Sequence, residues 1–348
     1  MMKYFMLILC AYTHAKLGLA SNAGVPEKTQ KVPSSAQMLS GEALVKYVNE
    51  NQTLFKAKIT PASHEVKYKL MDLKFKIQAS GEVIDDDSGI DIEIPESFDS
   101  RKKWANCSSL FDIRDQSNCG SCWAVSSAAA MSDRICISTK GAKQVRISAT
   151  DIMSCCEYCG FGCEGGWTAL AWEFFDTEGV VTGGNYRATG CCRPYPIPPC
   201  GHHGNETYYG ECSGIAPTPD CKKKCQPGYR RHYVLDKFYG KKYYHIRNSV
   251  KGIQRDLMEN GPLVASFEVY EDFAYYESGI YKYTAGMPRG YHAVKIIGWG
   301  KENGTDYWLI ANSWHNDWGE NGYFRIIRGT NECGIEEDAV ASLVDFDH

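Results

Sequence analysis

Sixteen cysteines, all but Cys10 and Cys333 lying between Cys107 and Cys225, constrain this chain more than any other feature. Reduced cytosolic proteins carry few thiols, so such crowding points to an oxidising compartment and a region stapled by disulfides. The N-terminus agrees. Lys3 precedes a short apolar run, and small residues follow at Ala15, Gly18 and Ala20, the pattern of a cleaved secretory signal over 1–20. The alternative is a buried N-terminal strand. That run is too short to cross a bilayer, and no later stretch reaches the roughly 18 apolar residues of a membrane span. The expectation is therefore a secreted or lysosomal product. Four N-x-[ST] sequons, at Asn51, Asn106, Asn205 and Asn303, fit a glycoprotein. A formal net charge of -4 argues against a nucleic-acid partner.

Past the signal, residues 21–35 have the polar, Pro-containing composition of a linker. From Ser40 onward Leu44, Val45, Tyr47 and Val48 recur at helical spacing, with Ser40 placed to cap the helix. The acidic stretch D-D-D-S-G at 85–89 holds no core-forming residue, so it reads as a solvated loop and an exposed cleavage linker. From Ile94 the chain becomes rich in Cys, Gly and aromatics. Residues 123–136 predict an Ala-rich helix with Val125, Ala128, Met131 and Ile135 near one stripe. Pro, Gly and Cys dominate 190–230, which predicts a long loop held by disulfides. The last third alternates β-rich runs with Gly turns, at 292–300, 307–314 and 322–329, and reads as antiparallel strands. A helix-rich half thus joins a strand-rich half, an α+β arrangement whose seam is a natural cleft.

Residues 118–123 read N-C-G-S-C-W, and the two cysteines admit three chemistries. A redox dithiol needs both thiols free, usually in a βαβ setting that this chain does not show. Zinc needs further ligands at suitable spacing. Cys155, Cys156 and Cys159 or the His202–His203 pair would offer them, but disulfide pairing explains those cysteines more simply. The third chemistry is a catalytic thiol. Cys122 opens the Ala-rich helix, where the dipole and free N–H groups favour a thiolate. His292 is the candidate base, Asn312 a side-chain carbonyl able to hold its ring, and Gln116 an amide donor to a developing oxyanion, with the Cys122 N–H. No metal or cofactor is expected.

With those residues in view, the segment from Gln116 to Trp123 resembles the C-G-[SA]-C-[WY] signature of papain-family cysteine proteases. The stretches beginning at His292 and Asn312 are similar to that family's histidine and asparagine segments. Both stand farther beyond the thiol than the about 130–150 residues usual there, because the Cys/Pro-rich stretch is inserted between them. That stretch, about 192–225, resembles the occluding loop of cathepsin B-like enzymes. The likeness covers nearly the whole chain. It implies a papain-like fold of two subdomains: a helical left domain, an antiparallel β-barrel-like right domain, an occluding loop and an N-terminal propeptide. The implied order is signal 1–20, propeptide 21–93 and peptidase domain 94–348. The implied activity is a zymogen-borne cysteine peptidase acting as endopeptidase and C-terminal dipeptidase. Its implied partners are protein and peptide substrates, its own propeptide and cystatin-type inhibitors.

Further roles follow from the resemblance. His202 and His203 would hold a substrate's C-terminal carboxylate, and His202 would pair with Asp115 to pin the loop. Gly165 and Gly166 would carry substrate backbone, Trp314 would shield the Asn312–His292 bond, and Asp338 would close the S2 pocket as an acceptor for Arg. The implied disulfides are Cys107–Cys136, Cys119–Cys163, Cys155–Cys221, Cys156–Cys159, Cys192–Cys225 and Cys200–Cys212, which leave Cys191 and Cys333 over.

The chain departs from the pattern in two places. Tyr291 stands where a Gly is usual and is expected to narrow S2. No Arg is present near Glu206–Gly210 to reach Asp317, so a looser loop and stronger endopeptidase action are expected. The stretch Tyr307–Glu320 also resembles a pattern of haemoglobin-degrading cathepsin B-like enzymes of blood-feeding worms, implying a digestive role. The rival class is a non-catalytic, disulfide-stapled binding protein on the same scaffold.

Overall fold

The structure, a computed structural model, describes residues 31–76, 81–83 and 92–346. The expected signal 1–20, most of the expected linker and the acidic stretch 85–89 lie outside the described residues. No helix among the described residues is long and apolar enough to cross a membrane.

Five helices matter here: α1 Gly41–Asn51, α2 Cys122–Ser138, α3 Ala149–Cys155, α4 Thr168–Thr177 and α5 Val250–Asn260. The first forms where the periodicity of Leu44 and Val48 put it, and both are buried. Ser40 stands at its N-cap but makes no capping bond through its side chain. In α2 the Ala run lets neighbours approach closely. Ser126, Ser127 and Ser132 bond back to the carbonyls four residues earlier, so hydroxyls can be buried without loss. Its Cys122, Trp123, Met131 and Ile135 join α3 and α4 in one apolar core.

Among the described residues ten strands form one sheet: β1 Phe55–Ala57, β2 Glu82–Val83, β3 Phe98–Asp99, β4 Tyr239–Ile246, β5 Leu263–Tyr270, β6 Tyr276–Tyr281, β7 Pro288–Glu302, β8 Thr305–Ala311, β9 Tyr323–Ile327 and β10 Ala339–Asp345. Their order is β1-β6-β9-β8-β7-β5-β10-β4-β2, with β3 beside β7. The runs read as antiparallel strands from the sequence are β7, β8 and β9, paired in that order. β1 and β2 are the sheet's edges, so the barrel-like half is an open sheet. A second core gathers Phe267, Phe273, Trp308, Trp314, Trp318 and Phe324.

Buried polar bonds lock the two halves together. Lys295 on β7 donates to Asp133 on α2 at 2.6 Å. Arg134 donates to the Pro262 carbonyl at 2.7 Å and to the Tyr244 hydroxyl at 2.8 Å, and pairs with Asp256. Removing one partner of such a buried pair costs about 3–5 kcal/mol, because the other charge stays uncompensated. These ties set α2 against β7, and so set Cys122 beside the strand that carries His292.

Residues 183–232 contain no helix or strand. Cross-links hold them instead: Cys192–Cys225 and Cys200–Cys212 within the loop and Cys155–Cys221 back to α3. Cys107–Cys136, Cys119–Cys163 and Cys156–Cys159 complete the set among the described residues. All six fall between 107 and 225; the sheet-rich half has none.

Candidate active site

Cys119 is bonded to Cys163, whereas Cys122 is free. The C-x-x-C is therefore no dithiol, and Cys155, Cys156 and Cys159 are spent in disulfides rather than held for zinc. Cys191 and Cys333 are each free and do not join one another.

Cys122 is the first residue of the 17-residue α2, where unpaired N–H groups and the helix dipole favour negative charge. Its sulfur sits against the backbone of Ala293, the residue after His292. His292 donates from Nε2 to Asn312 Oδ1 at 2.7 Å, which leaves Nδ1 without a hydrogen-bond partner. An imidazole so fixed has its lone pair on Nδ1, ready to take a proton. Asn312 also accepts from the Ser313 N–H at 2.8 Å. The Trp314 ring stacks on His292 with centroids 4.6 Å apart and keeps that bond dry.

Gln116 is tied to the same segment. Its N–H donates to the Ser313 carbonyl at 3.0 Å, and its Oε1 accepts from Ser313 Oγ at 2.7 Å. Asp115 and Trp314 pair as an isolated antiparallel bridge. The amide so oriented donates from Nε2 to two carbonyls, Cys119 and Lys69, both at 2.7 Å. Lys69 belongs to the stretch before Ile94, which runs through the seam between the halves. Next to it Met71 and Tyr291 exchange both backbone hydrogen bonds at 2.9 Å. Phe75, fully buried, packs edge-on against Trp167 at 5.0 Å. Of the expected backbone-carrying glycines, Gly165 lies under it. A Cβ on Gly165 would come within 2.4 Å of Phe75, and one on Gly166 within 2.6 Å of Trp123. Close approach of a chain here demands glycine.

Burial controls the charges. Burial pushes the Cys122 thiol up to about 12, against the pull of backbone hydrogen bonds at Ala293, Trp123 and Cys122. Burial likewise pushes His292 down to about 4; the Asn312 bond opposes this and the Lys69 charge adds to it. Both shifts favour thiol and neutral imidazole over the thiolate that the sequence suggested.

Three expectations about the neighbouring loop need correction. His203, not His202, approaches Asp115, with Nε2 3.9 Å from Oδ2, while Lys69 takes the other side of that carboxylate at 3.8 Å. His202 is exposed, stacks on Tyr208 and faces Glu211 at 3.8 Å. Asp317 does not lack a tether: His203 Nδ1 reaches it at 3.0 Å and His315 Nδ1 at 2.8 Å. The missing Arg is replaced by two imidazoles, so the ground for expecting a looser loop is gone. Asp338 is not an open acceptor either. His245 Nδ1 lies 2.8 Å from it and Arg247 Nε donates at 3.3 Å, whereas the neighbouring Glu337 is the carboxylate that meets Lys76 at 3.6 Å. The ring of Tyr291 is buried in the helical core beside Met71 and Phe75.

Sequence reasoning missed Ser313, Lys69 and His315. A hydroxyl directly after Asn312 was a signal for the first; the other two depend on pairings that no local spacing announces. Asn51, Asn205 and Asn303 are all exposed, as is Asn106.

Comparison with known proteins agrees with this geometry. The profile of the papain family cysteine protease matches residues 94–343. The chain is 58% identical to cathepsin B-like cysteine proteinase 1 of Haemonchus contortus over 345 residues, 99% of each chain. It is 58% identical to cathepsin B-like cysteine proteinase 1 of Ostertagia ostertagi over 347 residues, 99% of this chain and 100% of the relative. Among solved structures, procathepsin B S9 of Trypanosoma congolense superposes with a TM-score of 0.74 at 36% identity, covering 88% of this chain and 98% of that one. The rival reading, a non-catalytic binding protein, would need Cys122, His292, Asn312 or Gln116 lost, and none is. The chain belongs to the papain family of cysteine proteases, in its cathepsin B-like branch, and it is built as a zymogen.

Proposed function

We propose that the protein is a secreted or lysosomal digestive peptidase, an endopeptidase that also removes C-terminal dipeptides. On this reading residues 1–20 are the signal, 21–93 the propeptide, and the mature enzyme begins near Ile94. The observation that carries it is the Gln116 amide gripping the main-chain carbonyl of Lys69 beside Cys122: the crevice already holds peptide backbone. The digestive role rests on the Tyr307–Glu320 pattern alone.

Once the propeptide leaves, water reaches the pair and the thiol passes its proton to His292 Nδ1. The sulfur attacks a peptide carbonyl, and Gln116 Nε2 with the Cys122 N–H stabilise the oxyanion. As the C–N bond breaks, His292 protonates the leaving amine. Water, deprotonated by His292, then attacks the thioester, releasing the new carboxylate and the thiol. His202, the exposed imidazole of the loop, is the group open to a substrate's C-terminal carboxylate, and Glu337 is an alternative to Asp338 as the acidic residue at S2. Cystatin-type inhibitors would occupy the same crevice, and Asn51, Asn205 and Asn303 would carry glycan.

The test is Cys122→Ala in the processed enzyme. It should fold as the parent does and lose turnover; residual cleavage within about tenfold of the parent would sink the assignment. Matched peptides with free and amidated C-termini separate the two activities. Equal rates on both would remove the dipeptidase half of the reading.

A further inference from the structure

The cluster of His203, His315 and Asp317 is used by no step above. The two rings stack with centroids 3.9 Å apart, and both present Nδ1 to the same carboxylate. The other nitrogen of each ring is also engaged. His203 Nε2 lies 3.0 Å from the Cys200 carbonyl, and His315 Nε2 lies 3.3 Å from Glu206 Oε1. Each ring therefore has an acceptor at both nitrogens. Two readings satisfy such a pair. Both rings carry two protons, which sets cation on cation at stacking distance, or each keeps only its Nε2–H and a shared cation replaces the two Nδ1 protons. The second is how metal-bound imidazoles are held: one nitrogen on the metal, the other N–H fixed by a carbonyl or carboxylate. The three ligand atoms lie within 4.8 Å of one another, and side-chain rotations that unstack the two rings bring them to the about 2.0–2.2 Å that zinc requires.

We propose that His203 Nδ1, His315 Nδ1 and Asp317 form a binding site for a divalent transition ion such as zinc, one that clamps the occluding loop to the body of the enzyme. His203 comes from the loop tip closed by Cys200–Cys212, whereas His315 and Asp317 follow the Asn312 segment. One ion thus bridges the insertion and the catalytic wall. Two imidazoles and a carboxylate leave a fourth position open to water. The chain was expected to hold no metal; of the residues considered as zinc ligands, only His203 belongs to this site. Asp115, Glu65 and Glu206 face the cluster and favour any cation there, while Lys69 offsets part of the Asp115 charge.

The experiment uses the full chain with Cys122→Ser, so that the catalytic thiol cannot serve as ligand, and zinc alone as probe. Calorimetry at neutral pH should give one equivalent bound. His315→Asn and His203→Asn should each weaken it at least about tenfold. X-ray absorption of the zinc-loaded protein should show nitrogen and oxygen neighbours only. Unchanged affinity in both histidine variants, no binding at neutral pH, or sulfur bound to the metal overturns the proposal. Should either variant misfold, the absorption spectrum of the chain with both histidines intact still decides.

Discussion

Whether Cys122 is a nucleophile depends on water. Buried under Lys69, it shares no charge with His292: the thiol is held up to about 12 and the imidazole down to about 4. Alkylation of Cys122 in the zymogen should therefore be slow and climb only as the pH approaches the thiol's raised value. After processing, reactivity should persist into acid, where the pair ionises. A zymogen whose alkylation profile matches that of the processed enzyme would contradict this. Gln116 makes a separate contribution. Its orientation is fixed by Ser313 Oγ, so the donor is preorganised for the oxyanion. Gln116→Ala should lower kcat by about 100- to 1,000-fold with little change in KM. Ser313→Ala should fall between that variant and the parent, because the amide stays but swings.

At the scale of elements, the stretch Lys69–Lys76 is held by side chains at both ends. Phe75 fills the space over Gly165 against Trp167 and Phe161, and Lys69 pairs with Asp115. Phe75→Ala should cost this stretch about 3–5 kcal/mol of docking. The zymogen should then process at least about tenfold faster at fixed pH, as read by the rate of conversion on gels. Much of this architecture was legible in the chain. The Ala-rich run became α2, the Gly-punctuated runs became β7 to β9, and the thiol, imidazole and amide stood in recognisable company. The failures share one cause. Asp338 meets His245 from β4, and Asp317 meets His203 from the loop; each pairing joins residues far apart in sequence that only the folded chain brings together. The same holds for protonation, since nothing local tells how deeply a covering segment will bury a thiol.

For the molecule as a whole, pH also acts through the sheet-rich core. Asp272 accepts from the Tyr281 hydroxyl at 2.7 Å and the Thr284 and Ala285 N–H groups at 2.7 and 3.0 Å, yet burial pushes its carboxyl up to about 7. A native carboxyl that keeps its proton above its unfolded value, about 3.9, contributes stability in acid. That contribution is present below about pH 4 and is lost as the pH rises through about 7. Asp272→Asn should flatten the dependence of Tm on pH across this window; a slope equal to the parent's would reject the assignment.

The placement of the six cross-links divides the two walls of the crevice in another respect. One wall owes its shape in part to bonds that an electron donor can open; the other owes its shape to strand pairing and apolar packing, with no disulfide. Rising reductant should therefore loosen the insertion and the nucleophile's wall while leaving the sheet intact. The molecule can be disarmed long before it melts.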